Sequence, residues 1–161
     1  MRRAPKGRKK VGRMSFTSLF YHVVFSTKDR RPSLGRESLT RTCQYIGGIA
    51  RELKGLLLIG DGMPDHVHLA TEIPPTARIS DFIGKLKSNS SGWIHETFPD
   101  LRDFGWQDGY SAFTVSPSVL PRVKEYIRTQ EEHHRNLTFQ EELVALLKKH
   151  GVEYDERYIW A

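Results

Sequence analysis

The sequence predicts an α+β fold of the ferredoxin-like (RRM-like) type: a four-stranded antiparallel sheet with helices on one face, followed by C-terminal helices. Two observations predict it. Four short segments carry the alternating or continuous apolar pattern of strands, and longer segments repeat apolar residues every three or four positions, as helices do. Their order along the chain, β-α-β-β-α-β-α-α, contains the βαββαβ pattern of that fold.

The first half of the chain supplies three strands and one helix. Residues 16–27 are rich in aromatic and β-branched types on both faces, which is typical of a central strand. Residues 36–54 repeat apolar side chains at helical spacing. Residues 56–59 and 66–73 then predict the two strands of a hairpin. The turn between them is predicted from Gly60, Gly62 and Pro64.

The second half supplies the remaining strand and three helices. Residues 79–97 have helical spacing, and residues 104–116 predict the fourth strand. A third helix is expected over residues 116–136. The fourth helix should begin at Thr138, because Glu141 stands three residues later in the capping-box position.

The positive charge of the protein is concentrated at its N-terminus. The net charge is +6, but residues 1–13 contain seven of the 25 basic residues and no acid, so the remainder holds 18 basic and 19 acidic groups. We therefore expect residues 1–14 to be a basic, flexible tail and residues 15–161 to be a single domain. Such a tail suits phosphate backbones, or it is only a solubilising extension.

Cysteine content and hydropathy indicate the cellular compartment of the protein. Cys43 is the one cysteine and has no partner within the chain for a disulfide, which fits a reducing environment. No apolar run approaches the length of a membrane span, and the N-terminus lacks the apolar segment of a signal peptide. The sequence therefore predicts a soluble cytoplasmic protein with no membrane partner.

A pair of histidines at the start of the second hairpin strand is the first candidate site. His66 and His68 lie two residues apart, so a strand would project both imidazoles from one face. Two imidazoles on a rigid strand can bind one divalent metal if a third ligand comes from elsewhere. The alternative is a chance pair of histidines with no ligand.

The predicted third helix offers partners for that pair. Tyr126 and Gln130 are four residues apart and therefore share one helix face. A tyrosine hydroxyl is a known covalent nucleophile, and a metal that polarises a phosphate lowers the barrier to attack. On spacing alone, a packed or surface tyrosine is the commoner role.

Two groups of polar residues could contact a nucleic acid. Residues 28–54 contain seven basic residues and three acids, which points to a surface for a polyanion. The middle of the predicted second helix is unusually polar, and it either holds phosphates or forms a solvated face. The candidate DNA contacts are Lys28, Arg30, Arg31, Lys85, Lys87, Ser88 and Asn89.

Four segments resemble one known family. Residues 21–28 (YHVVFSTK), 63–69 (MPDHVHL), 126–134 (YIRTQEEHH) and the closing stretch over residues 139–160 are similar to the IS200-like, single-tyrosine transposases of small bacterial insertion sequences. These belong to the HUH endonuclease superfamily. The resemblance runs in order from about residue 15 to 161, and the basic tail falls outside it.

The resemblance implies a reaction and a role for each candidate residue. His66 and His68 would be paired ligands of Mg²⁺ or Mn²⁺, Gln130 the third ligand and Tyr126 the nucleophile; imidazoles would also accept Zn²⁺. The family cleaves and rejoins single-stranded DNA at hairpins near element ends through a 5′-phosphotyrosine. It works as a homodimer, in which the tyrosine helix of one subunit can complete the site of the other.

Two other functions remain open at this point. The chain could be a domesticated HUH endonuclease that processes genomic hairpins. It could also be a noncatalytic nucleic-acid-binding module on the same sheet, although such a module has no need of the two histidines, the tyrosine and the glutamine together.

Overall fold

The computed structural model describes residues 15–160, and the predicted basic tail over residues 1–14 lies outside them. Four antiparallel strands form one sheet in the order β2-β3-β1-β4, which is the ferredoxin-like topology predicted from the sequence. The strands are β1 (Phe20–Ser26), β2 (Leu56–Met63), β3 (His66–Glu72) and β4 (Ser111–Val115).

Helices cover both faces of this sheet. α1 and α2 pack against one face over the main apolar core, and the C-terminal helices lie on the other face, where the apolar side of α5 contacts Val24 and Phe113. The helices are α1 (Arg36–Glu52), α2 (Ile79–Thr97), α3 (Leu120–Arg128), α4 (Gln130–His133) and α5 (Phe139–Lys149). No helix among residues 15–160 is long and apolar enough to cross a membrane.

The alternation of the two central strands separates core from site. Val23 and Phe25 of β1, with Val67 and Leu69 of β3, point into the core beneath α1 and α2. Their neighbours along each strand point to the opposite face, because successive side chains alternate. The histidines of β3 therefore emerge beneath the C-terminal helices.

The hairpin turn lies later than predicted. β2 continues through both glycines to Met63, so only Pro64 and Asp65 form the turn. The glycines allow β2 to lie very close to its neighbours. A Cβ on Gly60 would lie 3.0 Å from a methyl carbon of Leu69, and one on Gly62 only 2.2 Å from the His66 carbonyl oxygen. The prediction of a turn at these glycines was wrong because glycine also permits two backbones to pack tightly.

The fourth strand is shorter than predicted. Residues 104–110 are irregular apart from one bridge between Thr27 and Trp106, and Gly109 has a φ of +80°. The Lys87 ammonium donates to the carbonyl oxygens of Gln107 and Gly109, at 2.6 Å each. Those carbonyl groups bind a side chain from α2 instead of extending the ladder.

The first strand is also shorter than predicted, and the third helix is interrupted. Residues 15–19 have no partner in either ladder of β1, although the Leu19 carbonyl still accepts from the Ile73 amide at 3.2 Å. α3 ends at Arg128, and a break at Thr129 (φ −106°, ψ 32°) separates it from α4. The Thr129 hydroxyl donates to the Glu125 carbonyl at 2.9 Å, a back-bond that bends helices.

The last helix begins where the sequence predicts. The Thr138 hydroxyl accepts from the Glu141 amide at 3.2 Å, and the Glu141 carboxylate accepts from the Thr138 amide at 2.8 Å. This reciprocal capping box fixes the first turn of α5. It thereby fixes the position of Glu142, which lies in that turn.

Candidate active site

The paired histidines are buried on the face of the sheet that α3, α4 and α5 cover. His66 and His68 are each 0% exposed, and their rings are 5.1 Å apart. His22 from β1 lies beside them, with its Nε2 2.8 Å from Nδ1 of His68. Asp65 in the turn accepts a hydrogen bond from Nδ1 of His66 at 2.7 Å. Both rings are thus held at one nitrogen.

α3 and α4 bring the predicted tyrosine and glutamine to the same place. Ile127 is fully buried and anchors α3, which contacts β2 and β3. Tyr126 is half-buried, with its ring 5.8 Å from that of His68. Gln130 is 1% exposed and places Oε1 3.3 Å from Nε2 of His66. These four residues meet within one chain.

A buried carboxylate that the sequence did not suggest occupies the centre of the group. Glu142 of α5 is 1% exposed and accepts a hydrogen bond from the Tyr126 hydroxyl at its Oε2. The Gln130 amide nitrogen also donates to Oε2, at 3.3 Å. The Glu142 Oε1 faces three imidazoles, at 2.7 Å from His68, 3.1 Å from His134 and 3.3 Å from His66.

These donors are chemically suited to a divalent cation. One ligand atom each from His66, His68, His134 and Glu142 lies within 4.8 Å of all the others. Imidazole nitrogen and carboxylate oxygen together suit Mn²⁺ and Zn²⁺, and Gln130 adds an amide oxygen at the same point. The Nε2 of His134 is buried and has no hydrogen-bond partner, so a polar atom points into the group unsatisfied.

The family follows from comparison with known proteins. Residues 15–130 match the family model described as "Transposase IS200 like". Over 125 residues, the chain is 34% identical to the transposase for insertion sequence element IS200 of Salmonella typhimurium, covering 71% of this chain and 78% of the relative. The chain belongs to the IS200-like transposase family.

Further relatives of this transposase agree in sequence and fold. The ISDra2 transposase TnpA of Deinococcus radiodurans is 29% identical over 128 residues, which cover 76% of this chain and 91% of the relative. A crystal structure of a transposase-like protein from Deinococcus radiodurans R1 superposes with a TM-score of 0.61 at 30% identity, covering 75% and 97% of the two chains. A REP-associated tyrosine transposase bound to a REP hairpin shares the fold, with a TM-score of 0.56 at 14% identity over 79% and 74%.

The charge state of the transposase site is set by burial and by Glu142. Burial disfavours the charged carboxylate, but the adjacent imidazoles of His134, His66 and His68 hold the pKa of Glu142 well below its usual range. Burial and then the Glu142 carboxylate raise the pKa of Tyr126 above its usual value. Tyr126 is therefore a neutral phenol at neutral pH, donating to an ionised Glu142.

The histidines differ in how readily they are protonated. Burial alone would lower the pKa of His66, but its hydrogen bonds to Asp65 and Glu142 raise it. Burial lowers the pKa of His68 in spite of Glu142. Burial and the adjacent His68 lower the pKa of His22 to about 3. His22 is consequently neutral, and its Nε2 is free either to donate to His68 or to accept from it.

The predicted DNA contacts fall in two places. Lys28, Arg30 and Arg31 follow β1 at the end of the sheet where His66 lies, and Thr27 bonds the Asp65 carbonyl there at 2.9 Å. Lys28 and Arg31 are exposed, whereas Arg30 is half-buried and donates to the Trp160 carbonyl at 3.2 Å.

The other predicted contacts lie on α2, across the sheet from the histidines. Lys85, Ser88 and Asn89 are exposed there, and Lys87 is half-buried with its ammonium bound to backbone carbonyl groups. The structure therefore does not bring the α2 residues together with the candidate site.

Sequence reasoning missed Glu142 and His134. Glu142 lies three residues after Phe139 and four before Leu146, both buried, so a carboxylate interrupts the apolar face of α5. That interruption was a usable signal. His134 had no comparable signal, because its burial depends on how the chain folds back after α4.

Proposed function

We propose that this transposase cleaves and rejoins single-stranded DNA through covalent attack by Tyr126. The phenolic oxygen bonds to the phosphorus of a phosphodiester, and the bond from phosphorus to the 3′ oxygen breaks. The products are a 5′-phosphotyrosine on Tyr126 and a free 3′ hydroxyl. Attack by a second 3′ hydroxyl on the same phosphorus reverses the chemistry and joins a new strand.

The surroundings of Tyr126 support its role as the nucleophile. Its hydroxyl sits at the edge of the buried polar group instead of in the apolar core, and it donates to Glu142. Glu142 is thus the acceptor nearest to the proton that must leave during attack. The raised pKa of Tyr126 means that the reacting group is a phenol, so loss of its proton must accompany bond formation.

His66, His68 and Gln130 would hold a divalent cation beside this hydroxyl, and the family favours Mg²⁺ or Mn²⁺ over the Zn²⁺ that imidazoles also accept. The cation would polarise the phosphate and offset its charge. Asp65 and His22 would fix the two imidazoles by bonding the ring nitrogens that face away from the cation. The single observation that carries this proposal is the convergence of four residues on the Glu142 carboxylate, namely His66, His68, Tyr126 and Gln130.

Hairpins at element ends are the proposed substrate, in keeping with the family and with the neighbour of the same fold that was solved on a REP hairpin. Exposed Lys28 and Arg31, at the His66 end of the sheet, would bind phosphates of the strand. A homodimer acting on paired ends remains part of the proposal.

The test is trapping of the covalent intermediate. Single-stranded hairpin oligonucleotides from DNA flanking the coding sequence are labelled, incubated with the protein and Mn²⁺, and run on denaturing gels. Wild type should form a labelled adduct and a shorter product with a 3′ hydroxyl. Tyr126→Phe should form neither, and Tyr110→Phe, at an exposed tyrosine elsewhere, should behave as wild type.

Two outcomes would refute the proposal. An adduct that persists in Tyr126→Phe would exclude Tyr126 as the nucleophile. Hairpin binding without an adduct, in every metal tested, would favour the noncatalytic nucleic-acid-binding module.

A further inference from the structure

We propose that His134 and Glu142, from the C-terminal segment, are metal ligands that complete a site with His66 and His68. The proposal rests on the metal role of the two β3 histidines in the proposed function. Both additional residues lie beyond residue 130, where the match to the family model ends. The site would therefore combine the histidine pair of the sheet with two donors from a segment outside that match.

His134 is oriented as a ligand. Its Nδ1 donates to the Leu137 carbonyl oxygen at 2.7 Å, which fixes the proton on that nitrogen in the neutral ring. The Nε2 then carries a bare lone pair, is buried without a hydrogen-bond partner, and points at the group formed by His66, His68 and Glu142. A buried lone pair that lacks a donor is costly unless a cation or a proton meets it.

His66 repeats this arrangement. Asp65 accepts from its Nδ1, so when the ring is neutral the lone pair is on Nε2. That nitrogen faces Glu142 Oε1 and Gln130 Oε1, at 3.3 Å each. Acceptors that converge on one point repel each other, and a cation placed between them converts the repulsion into coordination.

His68 adapts to the same role through His22. Ligation through Nε2 of His68 requires its proton to sit on Nδ1, and Nε2 of His22 lies 2.8 Å from that atom, ready to accept it. A partner on the ring nitrogen remote from the metal is the usual support of a histidine ligand. All three imidazoles thus have such a partner: Asp65, His22 and the Leu137 carbonyl.

Glu142 supplies the negative charge and a link to the nucleophile. Its Oε1 faces the three imidazole nitrogens, whereas its Oε2 accepts from Tyr126 and Gln130. A monodentate ligand through Oε1 would leave Oε2 bound to the tyrosine hydroxyl. The carboxylate would then set the distance between the cation and the attacking oxygen. It would also supply the negative charge that balances a divalent ion, because three neutral imidazoles and an amide carry none.

Mn²⁺ affinity tests the two assignments without any DNA. Isothermal titration with MnCl₂ is performed on wild type, Glu142→Gln and His134→Ala, all as the full chain. Glu142→Gln keeps the size of the side chain and one acceptor oxygen for the Tyr126 hydroxyl, and far-UV circular dichroism checks that the fold is retained. We expect each variant to raise the Kd for Mn²⁺ about tenfold or more, by analogy with loss of groups around other metal sites.

Matched controls come from exposed residues outside the group. Glu132→Gln removes a carboxylate from α4, and His150→Ala removes an imidazole that follows α5. Both should leave the Kd for Mn²⁺ unchanged. The rise in Tm on adding Mn²⁺ gives a second measurement, and it should be large in wild type and both controls and small in the two test variants.

The outcomes separate this inference from the proposed function. Equal Mn²⁺ binding by Glu142→Gln would show that the carboxylate is not a ligand, and tighter binding would show that it competes with the ion; either result would overturn its assignment. An unchanged Kd in His134→Ala would overturn the assignment of His134. Absence of Mn²⁺ binding by wild type would overturn both. Binding that depends on Glu142, without a covalent adduct on hairpin DNA, would refute the proposed function and leave the ligands in place.

Discussion

Adding one methyl group at Gly62 should destabilise the hairpin that carries the histidines. A Cβ at this position would lie 2.2 Å from the His66 carbonyl oxygen and 2.9 Å from the Val67 Cα. Both atoms belong to the backbone of the neighbouring strand, so no side-chain rotation relieves the contact. The carbonyl must move by about 0.8 Å to reach even 3.0 Å, the shortest distance that real Cβ atoms make.

Such a displacement lowers the free energy of unfolding in two ways. Forcing a methyl group into a packed site costs about 1–3 kcal/mol, and weakening one ladder hydrogen bond next to the turn adds about 1 kcal/mol. We therefore expect Gly62→Ala to lower the free energy of unfolding by about 2–4 kcal/mol. For a chain of this size, that corresponds to a decrease in Tm of about 5–15 °C.

Urea unfolding followed by far-UV circular dichroism measures the change, and the matched control is Gly84→Ala. Gly84 lies inside α2, and a Cβ there has nothing within 4 Å. Alanine should stabilise that helix by up to about 1 kcal/mol. The two glycine-to-alanine substitutions should thus have opposite signs. A free energy of unfolding for Gly62→Ala within about 0.5 kcal/mol of wild type would refute the steric reasoning.

Three further predictions concern other parts of the fold. Burial raises the pKa of the Cys43 thiol to about 12, so at pH 8 only about one thiol in ten thousand is ionised. A thiol-reactive dye should therefore label Cys43 only after unfolding, and rapid labelling of the native protein would contradict its burial. Thr138→Ala removes one half of the capping box and should cost about 1 kcal/mol in urea unfolding, whereas an unchanged midpoint would mean that α5 does not need its cap. Lys87→Met removes two hydrogen bonds from an ammonium to backbone carbonyl groups and should lower the free energy of unfolding by about 1.5–3 kcal/mol. Lys85→Met, at an exposed position on the same helix, should leave the free energy of unfolding almost unchanged. Equal effects would show that the Lys87 bonds do not stabilise the fold.

The parts of the fold that local patterns determine were predictable. Alternation placed His66 and His68 on one face of a strand, and helical spacing placed Tyr126 and Gln130 one turn apart. The capping box fixed the start of α5 at Thr138. Each of these features depends on residues that lie within about one turn or one strand of each other, so the sequence contains the whole cause.

The features that the sequence did not predict depend on contacts with residues that are distant in the chain. Gly60 and Gly62 predict a turn, because the close approach of β3 and α1 that explains them is not visible along the chain. The irregular segment before β4 follows from Lys87, about twenty residues earlier. Glu142 becomes part of the site only when α5 lies on the sheet; its place on the apolar face of α5 is visible in the sequence, but the residues that it meets there are not.

The order in which the site is synthesised follows from the position of Glu142. The four strands, the β3 histidines and Tyr126 all precede it in the chain, and the carboxylate that joins them is added later. During translation, the segments that form the sheet are therefore made before the residue that completes its polar centre. If the carboxylate is needed as we infer, the site is complete only once α5 has been synthesised and has docked on the sheet. A chain that ended before that helix would contain the β3 histidines and Tyr126 but not the carboxylate that joins them, and it would leave Val24 and Phe113 uncovered.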